Sequence, residues 1–249
     1  MFNYRNSPWP IRADLSEAFT YTWSKLAEPG NWLTGAQRVA IADAVRSATT
    51  CDLCSLRRAA LSPFADQGHH QGQTESTTLD ARTVDLVHRL STNASRLTES
   101  WLQQQLDDQF GVDHYVELLS VVVAVVSIDA FHTALGLALE TLPAPKPGEP
   151  TRKRPQGVRS GTGWVPMLSS ADASAEDADI YLGMRRDANV IKAMSLVPDG
   201  VRLLRKQSAA MYLEVDDIGN PASNGERTLS RPQIELVASR VSALNDCFY

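Results

Sequence analysis

The feature that most restricts this chain is a design that occurs twice: a capped amphipathic run that ends in a cysteine. Thr34 to Cys54 reads TGAQRVAIADAVRSATTCDLC, and Ser230 to Cys247 reads SRPQIELVASRVSALNDC. In each, a hydroxyl residue stands three positions before a glutamine, the spacing of a capping box, in which each side chain satisfies a free backbone donor of the other residue. The same hydroxyl residue stands seventeen positions before a cysteine. Gln37 aligns with Gln233, Ala42 with Ala238, Val45 with Val241 and Cys51 with Cys247. The shared residues are the cap, the buried face and the thiol, so the chain reads as a repeat. In the first copy the cysteine is followed by Cys54, making Cys-x-x-Cys. In the second, the equivalent partner would be residue 250, and the sequence stops at Tyr249.

Helical spacing continues on both sides of the first run. Leu15, Phe19, Trp23 and Leu26 mark a helix over Asp14 to Ala27, closed by Pro29-Gly30. Ile41, Val45 and Ala48 line the next, which should fade at Thr49-Thr50. Cys51 then falls at or just before the start of a helix running through Leu61 and stopped by Pro63. Ala65 to Thr78 is polar and contains glycine, so it reads as loop. Helices are expected over Asp80 to Ser91 and Thr98 to Phe110. Tyr115 to Leu142 is the most apolar stretch, but Glu117, Asp129 and His132 interrupt it, and a membrane span needs roughly 20 mostly apolar residues. It reads as a buried helix, bent near Ser127 or ended at Gly136. Pro143 to Gly163, with PAPKPGEPTRKRPQG, holds no regular element and reads as a linker. Beyond it, helices are expected at Ala175 to Asp187, Val190 to Leu196 and Pro198 to Val215, then a loop over Asp216 to Arg227 and a last helix capped by Ser230. No strand alternation stands out, so the expected class is all-α. The expected organisation is a helical domain over 1–142, a linker over 143–163, and a second helical domain over 164–249 that is incomplete at its C-terminus. If the chain ends at Tyr249, that second half lacks the helices that should cover its apolar faces.

Composition narrows the function. A net charge of −5 argues against nucleic-acid binding, which needs a basic surface, and the basic cluster Arg152, Lys153, Arg154 reads as solvated linker. The start MFNYRNSPWPIRADL has no apolar core of the kind a signal peptide requires, so the expected location is the cytoplasm. Three cysteines make no secreted disulfide framework. In a reducing compartment a Cys-x-x-Cys pair points to redox chemistry or to metal binding.

A thiol reacts as thiolate, and a helix N-terminus favours that charge. Two thiols on one first turn can close a disulfide without unfolding anything, one sulfur attacking and the other resolving. The rival is zinc held by Cys51 and Cys54 with His69 and His70, although adjacent histidines seldom bind one ion. His88 and His132 read as core or helix-surface residues rather than bases, and His114 as an exposed residue near a helix start. Glu235 stands about three helical turns before Cys247, so only a tertiary fold-back would bring it to that sulfur.

At these residues the sequence resembles the alkylhydroperoxidase D and carboxymuconolactone decarboxylase-like superfamily. The redox branch carries a glutamate, then Cys-x-x-Cys, then a histidine four residues past the second cysteine. The whole chain is similar to bacterial alkylhydroperoxidase-related selenoproteins. The resemblance implies tandem all-α domains that oligomerise, and a thiol peroxidase or disulfide reductase acting on a hydroperoxide. It implies electrons from a dithiol partner, thioredoxin-like or lipoyl, and no bound cofactor or metal. By carry-over the site residues are Cys51, Cys54, Glu235 and Cys247. Glu235 takes the place of the family glutamate and Cys247 that of the first, resolving cysteine. In the first copy, Val39 occupies the glutamate position and Arg58 the histidine position, which leaves that copy without the family's proton relay and suggests a weak or structural role. Arg57 or Arg58 is then the candidate to stabilise a thiolate by charge. The expectation for residue 250 is selenocysteine, its UGA codon taken for a stop. Decarboxylase-type acid/base chemistry fits poorly with the cysteine pair, and a helical scaffold with a vestigial pair is the non-enzymatic alternative.

Overall fold

A computed structural model describes residues 2–70, 78–161 and 163–247. Part of the expected loop, 71–77, lies outside the described residues, as do 248–249. The described residues form ten α-helices and two short 3-10 turns, and their only bridge pairing joins Arg159 and Met167. The all-α expectation holds.

The first helices are α1 (Ala13–Ala27), α2 (Gly35–Ala48), α3 (Asp52–Ala59) and α4 (Ala81–Asn93). They are followed by α5 (Glu99–Gln105) and the long α6 (Val112–Ala134). By length and composition α6 would cross a membrane, but α1, α2, α4 and α8 (Pro198–Met211) all pack against it. Val116, Leu118, Val121, Val125 and Ile128 fill the centre of the core, so its apolarity is that of a helix buried on several sides. The one acid in the middle of this environment is paired. Glu117, fully buried, accepts from Arg38 Nη1 at 2.5 Å and from the Trp32 backbone N–H at 2.5 Å. Gly30 is required beside it, because a Cβ there would collide with the Glu117 carboxylate and the Arg38 guanidinium. α6 ends where Gly136 takes a left-handed φ of 66°, a conformation that glycine adopts without steric cost.

Both capping boxes form. Thr34 and Gln37 open α2, and Ser230 and Gln233 open α10 (Arg231–Leu244). Their apolar faces fare differently. On α2, Ile41, Ala42, Val45 and Ala48 are buried under α4 and α6. On α10 the aligned Val237, Val241 and Leu244 are 57%, 53% and 65% exposed, and only Ile234 is buried.

The segment expected to be a free linker is docked. Between 143 and 155 it has no regular structure, yet Lys146, Thr151 and Arg152 donate backbone N–H groups to the carbonyls of Ala27, Gly30 and Asn31. Arg152 lies over the Trp32 ring, Lys153 pairs with Glu176 and Arg154 with Asp113. The basic cluster is therefore spent on the protein's own surface. Beyond the segment, Val165, Leu196, Val197 and Ala210 join the same core cluster as α1, α2, α4 and α6.

Several helices are shorter than periodicity suggests, for local reasons. The stretch 98–110 stops at Gln105, because the Asp107 side chain takes the N–H groups of Gln109 and Phe110 into a turn. Over 175–187 only a 3-10 turn, Ala178–Tyr181, survives. There Arg202 draws Asp177 and Asp179 together, and Gly183 adopts φ 82°. The expected helix over 190–196 is a single turn, α7 (Asn189–Lys192). α8 ends at Met211, and α9 (Val215–Ile218) intrudes into what reads as loop.

Candidate functional site

The elbow between α2 and α3 carries the thiol pair. α2 stops at Ala48, Thr49 and Thr50 turn the chain, and Cys51 takes the extended N-cap conformation of α3 with φ −74° and ψ 123°. Cys54 falls one turn into the helix, so both sulfurs face the same side. Neither is in a disulfide, and each residue is only 1% exposed.

Two imidazoles close over them from different places in the sequence. His70 comes from the coil after α3, and its Nδ1 lies 3.5 Å from Cys51 Sγ and 3.8 Å from Cys54 Sγ. His88 projects from the middle of α4, with Nδ1 3.3 Å from Cys54 Sγ. The two rings lie tilted by 49° with centroids 4.0 Å apart. One donor atom from each of Cys51, Cys54, His70 and His88 lies within 4.8 Å of the others. Each imidazole uses its far nitrogen to hold position. His70 Nε2 is 2.8 Å from Asp85 Oδ1, and His88 Nε2 is 3.2 Å from Ser47 Oγ on α2.

Asp85 is the hub behind this layer. Besides His70 it accepts from Arg57 Nη1 at 2.5 Å and from Arg89 Nε at 2.7 Å. The arginines are buried, and they also reach backbone carbonyls, Arg57 that of Asp66 and Arg89 that of Pro63. The electrostatics separate the histidines. Burial alone would push His70 down, but hydrogen bonds to Asp85, Cys54 and Cys51 raise it to about 10. His88 is depressed to about 4 by burial and by the positive His70 beside it. Burial would raise Asp85, but its bonds to His70, Arg89 and Arg57 hold it well below the ordinary carboxylate range.

Sequence reasoning placed the thiols correctly at the mouth of a helix and misjudged their surroundings. His88 is buried, as expected of a core histidine, but its Nδ1 faces the Cys54 sulfur. Of the adjacent pair, His70 turns in while His69 is exposed. Between Arg57 and Arg58, only Arg57 enters the network, while Arg58 is exposed. Val39, at the glutamate position, packs on the core. A helical projection of α4 would have offered a signal, since it puts Asp85, His88 and Arg89 on one side. His132 is a satisfied core residue, with Nδ1 2.8 Å from the Ile128 carbonyl and Nε2 3.1 Å from Tyr4 Oη. His114 is half-buried against Trp32 and Arg152.

The second capped run is built differently. Glu235 accepts from Tyr212 Oη at 2.7 Å and from Arg231 Nε at 2.5 Å, and these bonds lower its carboxyl below the ordinary range. Cys247 follows α10 and is exposed. No hydrogen bond among the described residues joins Glu235 to Cys247. A cavity of about 790 Å³ opens beside α7, α8 and α9, lined by Met184, Val190, Leu204, Leu213 and Ile218, and the thiol cluster does not contribute to it.

These four donors and their carboxylate hub define a buried cysteine–histidine centre in a helical fold. Comparison with known proteins adds no family to that description: no family model, no curated protein and no solved structure matches the chain.

Proposed function

We propose that Cys51 and Cys54 form a dithiol redox centre that reduces hydroperoxides or disulfides in the manner of the alkylhydroperoxidase-like proteins. The observation that carries this reading is that each sulfur lies 3.3–3.8 Å from an imidazole nitrogen. His70 touches both sulfurs with Asp85 behind it, so one proton carrier serves the attacking and the resolving thiol. The relay that the first copy lacks at positions 39 and 58 is supplied from elsewhere in the fold.

In the proposed cycle the Cys54 thiolate attacks the terminal oxygen of a hydroperoxide and the O–O bond breaks. The alkoxide leaves with a proton as alcohol, and Cys54 becomes a sulfenic acid. The Cys51 thiolate then attacks the Cys54 sulfur, the S–O bond breaks and hydroxide departs as water with a second proton. Two thiols and ROOH thus give a disulfide, ROH and water. An external dithiol, thioredoxin-like or lipoyl, restores the pair by exchange. The reaction belongs to a cytoplasmic protein in this reading. The second run, with Glu235 and Cys247, is the remnant or the counterpart of a tandem domain. Association with a second copy belongs to the same proposal, and the uncovered stripe Val237, Val241, Leu244 on α10 supports it.

The test is a thiol titration of chelator-treated protein before and after substoichiometric hydroperoxide, in Cys247→Ser to silence the exposed thiol. Loss of two thiols per peroxide, reversed by a dithiol and absent in Cys51→Ser, supports the enzyme. No loss assigns the pair to a helical scaffold instead. Because both sulfurs are buried, hydrogen peroxide should react faster than a bulky alkyl hydroperoxide.

A further inference from the structure

We infer that the reduced centre binds one thiophilic divalent cation of the zinc type through Cys51 Sγ, Cys54 Sγ, His70 Nδ1 and His88 Nδ1. Tetrahedral zinc holds sulfur at about 2.3 Å and imidazole nitrogen at about 2.0–2.1 Å, which fixes the sulfur–nitrogen edges of the coordination shell at about 3.5–3.6 Å. Three of the four sulfur–nitrogen separations are 3.5, 3.8 and 3.3 Å, and one donor atom from each of the four residues falls within 4.8 Å of the others. The donors therefore stand at the corners of a site that needs only small side-chain rotations to close on an ion.

Three further observations point the same way. Both imidazoles present the same nitrogen, Nδ1, to the cluster and give Nε2 to an outer partner, Asp85 for His70 and Ser47 for His88. An outer hydrogen bond of that kind fixes the tautomer and aims the lone pair at a metal. All four residues are buried, so water does not complete the shell, as befits a closed four-ligand site rather than an open one. Charge balances as well: once His70 releases its proton as the ion enters, two thiolates and two neutral imidazoles around a dication sum to zero, which a buried site tolerates. The donors come from the N-terminal turn of α3, the following coil and the centre of α4, so an ion would tie these three segments together.

This inference does not depend on the redox proposal, but the two states exclude each other. The thiolates that hold the ion are the ones a disulfide consumes, so oxidation should expel it.

The experiment is a cobalt(II) titration of the full chain, reduced and stripped with a chelator, followed by competition with zinc. One equivalent should bind and produce the intense visible bands of tetrahedral cobalt with a thiolate-to-cobalt charge-transfer band, both abolished by stoichiometric zinc. Cys54→Ser and His88→Ala should each lose or sharply weaken these bands, while His69→Ala and Cys247→Ser retain them. Circular dichroism of the first two variants checks that they are folded. Wild-type protein oxidised to the Cys51–Cys54 disulfide provides the same test without a mutation and should give no tetrahedral spectrum. A pale octahedral spectrum, or tetrahedral bands that survive in both Cys54→Ser and His88→Ala, overturns the inference. Cobalt binding without peroxide-driven disulfide formation would remove the redox reading and leave the metal site standing; the converse would remove the site alone.

Discussion

Asp85→Asn tests the join between the fold and the thiol centre. The carboxylate is 27% exposed, while the two arginines that it neutralises, Arg57 and Arg89, have side chains only 3% and 5% exposed. Removing one partner of a fully buried ion pair costs about 3–5 kcal/mol, because the remaining charge is stranded. Two features reduce that here. Asp85 is partly screened by solvent, and each arginine keeps a backbone carbonyl, Asp66 for Arg57 and Pro63 for Arg89. The expected loss is therefore about 2–3 kcal/mol. For a chain of this size that lowers the melting temperature by about 4–12 °C, read by calorimetry on the reduced, chelator-treated protein. Ser47→Ala is the comparison, since it removes two neutral hydrogen bonds, to His88 and to the Ala44 carbonyl, and should cost about 1–2 kcal/mol. The same Asp85→Asn sample should form the Cys51–Cys54 disulfide more slowly with peroxide, because His70 loses the anion that orients it. A melting shift no larger than that of Ser47→Ala would refute the role of Asp85 as the charged hub.

Glu117→Ala should be more damaging, about 3–5 kcal/mol by urea denaturation, since it leaves Arg38 and the Trp32 amide without their shared acceptor inside the core. A loss below that of a surface substitution would mean that Arg38 finds water. His88, depressed to about 4 in the fold against an ordinary 6.5, gives a pH signature in the metal-free protein. Below 6.5 the unfolded chain takes up a proton that the folded chain refuses, so this contribution to stability is present above 6.5 and is lost as pH falls toward 4. An imidazole NMR titration showing His88 charged at pH 6 would contradict it. Limited proteolysis should cut the 212–247 region, where α10 has only Ile234 buried, before it cuts α2 or α4. Equal resistance across the chain would mean that the exposed face of α10 is covered in solution.

What the sequence made legible was whatever depends on neighbours in the chain. Thr34 with Gln37, Ser230 with Gln233, the stop near Gly136 and the position of Cys51 at the start of α3 are all local physics, and all appear in the structure. The failures have a common cause as well. Periodicity over 98–110 and 175–187 counted apolar residues and missed what Asp107 and Arg202 do once their partners are near. Pro143 to Gly163 looked like a linker because it has no periodicity, yet a chain without regular structure can still dock by its backbone, as Lys146, Thr151 and Arg152 do. His88 was unreadable for a related reason: a histidine on an apolar helix looks the same whether it meets a carbonyl, as His132 does, or a sulfur.

The two capped runs make that last point an internal comparison. α2 and α10 share the cap, the apolar stripe and a cysteine seventeen residues after the cap. Around α2 the stripe is covered by α4 and α6, and the same α4 that buries Ile41 and Val45 also delivers His88 to the Cys54 sulfur and Asp85 to His70. Around α10 the stripe is bare, and Cys247 stands in solvent. The chemistry therefore does not reside in the motif. A cysteine following a capped helix becomes a candidate redox or metal centre only when the helix that covers the stripe carries imidazole and carboxylate at one-turn spacing, as His88 and Asp85 do on α4. It follows that moving His88 one position along α4, by the paired change Val87→His and His88→Val, should preserve the helix while turning the imidazole by about 100°. That variant should lose both peroxide-driven disulfide formation and tetrahedral cobalt binding. Retention of both would mean that the thiol pair acts without the cover that α4 provides.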